Sequence, residues 1–142
     1  MEELLAHAKL LGVTVATATL PPTHRGVYDH ARALVVYDYR LTPVERRCVL
    51  AHELGHVYHG HTTFGDEDAE RAADAYAARL LIDPAAHAAA ERLDPSSAAI
   101  AEELGVEERM VRAYEDGLLR VSGASYVRPR LGAGGYSWRG FR

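Results

Sequence analysis

The sequence predicts an α+β protein in which a small antiparallel sheet of about three strands packs on one helix, followed by a mostly helical C-terminal part. Three observations carry this prediction. Runs rich in β-branched and aromatic residues are confined to residues 13–41, a strongly capped helical pattern begins at residue 43, and further helical patterns continue to about residue 120.

The first forty residues predict one helix and three strands. Apolar residues at positions 4, 5, 8 and 11, followed by Gly12, predict a short amphipathic helix. The β-branched run VTVATATL, which ends before Pro21 and Pro22, predicts a strand. The runs GVYDH and ALVVYDYRL meet around residues 31–32, and this spacing predicts a tight antiparallel hairpin.

The best-defined helix begins after Thr42. Thr42 and Glu45 have the spacing of a capping box, and Pro43 stands at the first helical position, where its missing N–H costs nothing. The helix is predicted to run from residue 43 to about residue 59. Gly55 lies in its middle, at a cost of about 1 kcal/mol relative to alanine, which indicates close approach by another part of the chain.

The rest of the chain is predicted to be helical. The segment DEDAERAADAYAARLL, residues 66–81, predicts a second helix whose acidic first turn complements the helix dipole. Asp83 and Pro84 interrupt this pattern. Two or three shorter helices are predicted up to about residue 120, one of them opened by Pro95 and closed by Gly105.

Composition limits the classes of function. The single cysteine, Cys48, excludes an internal disulfide and a multi-cysteine zinc site. No apolar run approaches the ~20 residues of a membrane span, and the acidic N-terminus is unlike a signal peptide, so we expect a cytoplasmic protein. The net charge is -4, but residues 123–142 hold four arginines and no acid, which leaves -8 on residues 1–122. An acidic body argues against direct DNA binding.

One short motif carries chemistry. His52 and His56 are four residues apart on the predicted helix, so both imidazoles can point at one metal ion. Glu53 lies at the flank of that face, where it can act as general base toward a water activated by the ion. Two histidine ligands and a nearby base are the equipment of a zinc hydrolase. The alternative is an amphipathic helix with incidental histidines.

A third ligand is needed. The metzincin arrangement requires glycine three residues and histidine six residues after His56, but the chain has His59 and Thr62 there, so that arrangement fails. Glu70 is fourteen residues past His56, and Asp74 follows it by one turn, where it can accept the second N–H of a ligand imidazole.

Many alanines around Glu70 would let the two helices approach closely. Two histidines, one glutamate and an open position form a catalytic zinc arrangement of the gluzincin type. The alternative for Glu70 and Asp74 is a solvated acidic face, with Glu67 or Asp66 as rival ligands.

The remaining candidates have weaker signals. Cys48 is expected to pack in the core. An oxyanion donor on the sheet side is expected from one of His24, Tyr28 or Tyr37, by adjacency alone. We expect His59 and His61 to be loop residues at the end of the helix. The expected surface histidines are His7, His24, His30 and His87.

Two separated segments carry a resemblance to a known family. The segments are LTPVERRCVLAHELGHVYHGH and ERAADAYAARLLIDP. Together they resemble the ImmA/IrrE-type metallopeptidases, over roughly residues 1–90. The departures are mild: Asp74 stands where asparagine is frequent in that family, and one extra residue precedes Pro84.

The resemblance implies one zinc ion on His52, His56 and Glu70, with Glu53 as general base. It further implies a cytoplasmic endopeptidase that cuts a specific protein, often a transcriptional repressor of a phage or mobile element. In this layout an exposed strand beside the cleft usually aligns the substrate, and LVVYDY is the candidate strand; an ordinary core strand is the equally weighted alternative.

The predicted organisation follows. Residues 1–122 form one metallopeptidase domain, with a metal core over about residues 1–90 and a helical extension over about residues 91–122. Residues 123–142 hold five glycines and scattered aromatic residues, and we expect a flexible basic and aromatic tail.

Two rival functions remain open. The segment IAEELGVEERMVRAYEDGLL fits a helix-turn-helix pattern, but its second helix begins with Glu107 and Glu108, which DNA phosphates would repel. Two packed helices are therefore favoured over a DNA-binding regulator. The other rival is an antirepressor module that binds a repressor without cutting it.

Overall fold

A computed structural model describes residues 1–61, 65–122, 125–127 and 137–139. The chain divides into two compact units, Met1–Ala77 and Ala78–Arg142. The division of residues 1–122 into a metal core and a helical extension stays a prediction. The elements in chain order are α1 (Glu2–Leu10), β1 (Thr14–Ala18), β2 (Gly26–Asp29), β3 (Leu34–Asp38), α2 (Pro43–His59), α3 (Glu67–Leu81), α4 (Pro84–Leu93), α5 (Ser97–Leu104), α6 (Glu108–Ser122), β4 (Ser125–Val127) and β5 (Ser137–Arg139).

The α+β class is confirmed, and the sheet in the first unit has the strand order β1-β3-β2. Strands β2 and β3 form the predicted antiparallel hairpin, with Gly26 opposite Tyr37. The expectation of a wholly antiparallel sheet is wrong, because β1 pairs with β3 in parallel, with Thr14 beside Leu34. Strand β1 lies beyond β3 rather than beside β2, and two reversals of the chain bring β3 back to the direction of β1.

The strand order also corrects the expectation that LVVYDY is an exposed edge. Strand β3 is the middle strand and pairs with a neighbour on each side, so its main chain is not available to a substrate. The equally weighted alternative, a core strand, holds, and Val35 at its centre is fully buried. Strands β1 and β2 are the two edges of this sheet.

Helix α2 begins as predicted. The Glu45 N–H donates to the Thr42 hydroxyl at 3.2 Å, and the Thr42 N–H donates to the Glu45 carboxylate at 2.8 Å. Pro43 is the first helical residue, and Gly60, in the left-handed conformation with φ of 69°, ends the helix. Helix α2 packs against β2 and β3, and every residue from Cys48 to His56 is buried. The prediction that Cys48 packs in the core is confirmed.

Helices α2 and α3 touch backbone to backbone in the first unit. A Cβ on Gly55 would lie 2.7 Å from both the Cα and the carbonyl oxygen of Ala73. Ala69, Ala73 and Ala77 on α3 are all buried. The close approach that Gly55 indicated is therefore present, and small side chains on α3 make it possible.

The second unit contains helices α4 to α6. The Asp83 side chain accepts the N–H of Ala86 at 3.0 Å and starts α4. Ser96, directly after Pro95, starts α5, and Gly105 with φ of 65° ends it, as predicted. Helix α5 packs against α4 and α6. Ile100 on α5 is buried in the core, together with apolar residues of α6.

The expectation that His87 is a surface residue is wrong. His87 is 4% exposed, and its ring lies against that of Tyr114, with the centroids 4.8 Å apart. The cause is the face of α4 on which it stands, because Ala90 and Glu91 on the same face are buried too. Of the other three, His24 and His30 are exposed, whereas His7 is half-buried and hydrogen-bonded to the Tyr76 hydroxyl.

The predicted tail falls mostly outside the described residues. Within it, β4 and β5 pair in an antiparallel ladder, with Ser125 opposite Arg139. Within the described ranges, none of the helices is both long enough and apolar enough to cross a membrane.

Candidate metal centre

Two imidazoles of α2 converge on one point. His52 and His56 are one turn apart on the buried face of the helix, and their Nε2 atoms lie 3.1 Å from each other. The two rings are nearly perpendicular, at 85°. The i, i+4 spacing therefore produces the shared focus that the sequence predicted.

Glu70 brings its carboxylate from α3 to the same point. Its Oε2 lies 2.7 Å from His52 Nε2, and its Oε1 lies 3.3 Å from His56 Nε2. Ligand atoms that share one tetrahedral zinc ion at ~2.1 Å are about 3.4 Å from each other. Two of the three distances, 3.1 Å and 3.3 Å, are close to that spacing, and the 2.7 Å between His52 and Glu70 would have to widen to admit an ion.

Asp74 fixes the orientation of His52. Its Oδ1 lies 2.8 Å from His52 Nδ1, so the Nδ1–H donates to the carboxylate. With Nδ1 turned to Asp74, Nε2 is the nitrogen that faces Glu70 and His56. A carboxylate behind a ligand histidine has this effect in zinc proteins.

The chemistry of the donor set favours a cation. Burial lowers the pKa of the His56 imidazole, and the neighbouring His52 lowers it further, while Glu70 opposes the shift. Imidazole nitrogens and a carboxylate oxygen are the kinds of ligand atom that zinc binds. A divalent ion between them would satisfy all three groups at once.

His61 is a contact that sequence reasoning missed. Its Nδ1 lies 2.9 Å from His56 Nδ1, on the side of the ring opposite the convergence point. His61 follows α2, as expected of a loop residue, but the left-handed turn at Gly60 folds the chain back, and the His61 N–H donates to the carbonyl of His56. The sequence signal was available, because glycine after a helix commonly makes this reversal.

Glu53 is buried between α2 and the sheet. A Cβ on Gly26 would lie 3.2 Å from its Cγ and 3.4 Å from its Oε1. The same Cβ would be only 2.5 Å from Cγ1 of Val49. Glycine at position 26 therefore lets the edge strand β2 run directly beside the Glu53 side chain.

The rival ligands at the start of α3, Asp66 and Glu67, do not belong to this group. Asp66 accepts the N–H groups of Asp68 and Ala69, at 2.9 Å and 3.3 Å, and so caps the start of the helix. Glu67 is exposed. In the described part of the chain, the group around α2 that meets the spacing of a metal site consists of His52, His56 and Glu70.

The three candidate oxyanion donors differ in position. His24 is exposed and bonded to the Thr23 hydroxyl at 2.9 Å, and the Tyr28 hydroxyl bonds to His30 at 3.0 Å. Tyr37 is the cross-strand partner of Gly26 and shares its face of the sheet. Its register places Tyr37 beside the stretch of β2 that contacts Glu53, and the role of all three stays a prediction.

The chain matches a known protein family. A family model described as the IrrE N-terminal-like domain, a peptidase family, matches residues 8–113. The match spans the residues of the candidate centre. A comparison with curated proteins finds no match.

Proposed function

Because this chain belongs to the family of the IrrE N-terminal-like domain, we propose that it is a zinc-dependent endopeptidase. Its substrate is proposed to be a specific cytoplasmic regulatory protein, such as the repressor of a phage or mobile element. The observation that carries the proposal is the convergence of His52, His56 and Glu70 on one point, with Glu53 next to His52 on the same helix.

The residues divide the work between holding the ion and moving protons. His52, His56 and Glu70 would hold zinc, with Asp74 orienting His52. When bound, zinc supplies a Lewis acid and lowers the pKa of a water molecule toward neutrality. The Glu53 carboxylate takes a proton from the attacking water and delivers it to the nitrogen of the leaving amine.

Strand β2 is the proposed guide for the substrate. It is an edge of the sheet, and a Cβ added at its Gly26 would lie only 3.2 Å from Glu53 Cγ, so a peptide paired with β2 would run close to the base. Edge strands bind extended peptides through main-chain hydrogen bonds. This assigns to β2 the role that the sequence suggested for β3.

The variant Glu53→Gln distinguishes the proposed peptidase from a module that binds its target protein without cutting it. The variant should hold zinc at the wild-type content, because Glu53 is not a proposed ligand, and should lose cleavage by a factor of about 10²–10⁴. The immobilised variant is used to capture proteins from the host lysate, and the captured proteins are then treated with the wild-type chain and analysed by mass spectrometry.

The matched control is Glu3→Gln, which removes an exposed carboxylate from the same unit and should leave cleavage unchanged. Captured proteins that the wild-type chain leaves intact would favour the non-cleaving module. Cleavage by Glu53→Gln at the wild-type rate would exclude the mechanism given above.

A further inference from the structure

We propose that the second unit contains a separate metal site, formed by His87, Glu91 and Glu115, that takes a divalent transition-metal cation such as zinc. His87 and Glu91 are one turn apart on α4, and Glu115 reaches them from α6. None of the three belongs to the group proposed above for the catalytic ion.

The distances suit a shared ion better than a direct contact. One ligand atom from each of the three residues lies within 4.8 Å of the others. His87 Nε2 is 3.7 Å from Glu115 Oε1, which is too long for a hydrogen bond. Two ligand atoms on one tetrahedral zinc ion are separated by about 3.4 Å, so His87 and Glu115 are within a few tenths of an ångström of that spacing.

Burial supplies the second, independent observation. His87, Glu91 and Glu115 are only 4%, 4% and 2% exposed. Among the described residues, the Nε2 atom of His87 has no hydrogen-bond partner although it is buried and faces the Glu115 carboxylate. A buried nitrogen directed at a carboxylate without bonding to it is the arrangement expected of two ligands aimed at a third body.

The kinds of ligand and the long N···O distance favour the same occupant. A direct ion pair between protonated His87 and Glu115 would shorten the N···O distance to about 2.7–2.9 Å, whereas it is 3.7 Å. Imidazole with carboxylates suits zinc and similar transition metals better than magnesium or calcium.

The proposed role is structural. Because the ligands come from two helices and are buried away from solvent, the ion would join α4 to α6 and would not be reached by a substrate. The fully loaded chain would then hold about two zinc ions instead of one. This inference is independent of the proposed function and fails or succeeds by itself.

The test begins with a full-length variant that lacks the first centre, His52→Ala/His56→Ala/Glu70→Ala. The variant is stripped with a chelator, reloaded with zinc, dialysed and analysed by elemental mass spectrometry. About one zinc ion per chain should remain, and the melting temperature should rise when zinc is returned. A variant that folds but retains no zinc would overturn the proposal.

Glu115→Gln in the same background locates the ion. It should abolish the remaining zinc and the zinc-dependent rise in melting temperature, whereas the control Glu103→Gln, an exposed carboxylate on α5, should change neither. Zinc retained after Glu115→Gln would assign the ion to surface histidines and overturn the proposal. If circular dichroism shows that Glu115→Gln is unfolded, Glu91→Gln makes the same test from α4.

Discussion

His52 donates its Nδ1–H to Asp74 across 2.8 Å, and this bond determines which nitrogen of the ring faces Glu70 and His56. The pair joins α2 to α3 behind the convergence point. The proposed centre therefore depends on a carboxylate that is not itself one of the proposed ligands.

Removing that carboxylate tests the dependence. Asp74→Ala should weaken zinc binding by about 10- to 100-fold, because the His52 ring loses the partner that fixes its tautomer and orientation. Asp74→Asn should retain most of the affinity, since its amide oxygen can accept the same N–H. Competition with a chromophoric chelator measures both. Equal affinities for the alanine and asparagine variants would contradict the positioning role.

Gly55 should be intolerant of any side chain. A Cβ there would lie 2.7 Å from the backbone of Ala73, so Gly55→Ala must push α3 away from α2. We expect a loss of about 1–3 kcal/mol in the free energy of unfolding, measured with urea, and weaker zinc binding. Gly117→Ala on α6 is the matched control, because a Cβ there meets nothing within 4 Å.

The control should gain up to about 1 kcal/mol from the higher helix propensity of alanine. If the two glycine variants changed stability in the same direction and by similar amounts, close helix contact would not be the reason for Gly55.

Gly26 connects the edge strand to the proposed base. In Gly26→Ala the new methyl group would collide with Val49 Cγ1 and press on Glu53. The rate of peptide cleavage should therefore fall by more than the loss of stability accounts for. The double variant Gly26→Ala/Val49→Ala removes the collision at 2.5 Å and should recover part of the activity. Steady-state kinetics beside thermal unfolding make the comparison. A single variant with unchanged kcat would show that β2 does not position the base.

The stability of the zinc-free chain should depend on His56. Its pKa is lowered in the folded state, chiefly by burial, from an ordinary value of 6.5. Between the folded-state pKa and about 6.5, His56 binds a proton in the unfolded chain but not in the folded chain. The free energy of unfolding therefore falls as the pH decreases through about 6.5, and it becomes constant below the folded-state pKa. Above that window the contribution is constant.

The measurement is urea unfolding of the zinc-free wild type and of His56→Gln between pH 8 and pH 5. The decline should be steeper in the wild type, and His30→Gln, an exposed histidine, should follow the wild type. A His56→Gln variant with the wild-type slope would contradict the assignment.

Local signals in the sequence were sufficient for the helices and for the pair His52 and His56. The capping box at Thr42, the glycine that ends each of two helices and the four-residue spacing all act within one or two turns. Glu70 could also be predicted from the sequence, because the alanines around it indicated that α3 could approach α2. Each of these inferences needed only the geometry of a helix.

The order of the strands and the burial of single polar residues could not be predicted from such local signals. The pattern of β3 is the same whether its neighbours are one strand or two, and the parallel partner β1 comes from twenty residues earlier in the chain. The four apolar and aromatic residues LVVY were the available sign of a middle strand. The burial of His87 depends on Glu115 and Tyr114, which are on another helix.

The shortness of β2 has a consequence for selectivity. Alternate residues of a strand direct their N–H and C=O groups to opposite sides, so a four-residue edge offers an incoming chain only about two residues with which to pair. So few main-chain bonds cannot discriminate among extended peptides. Discrimination must then come from the folded surface of the target, and short synthetic peptides that span the cut should be far poorer substrates than the intact protein.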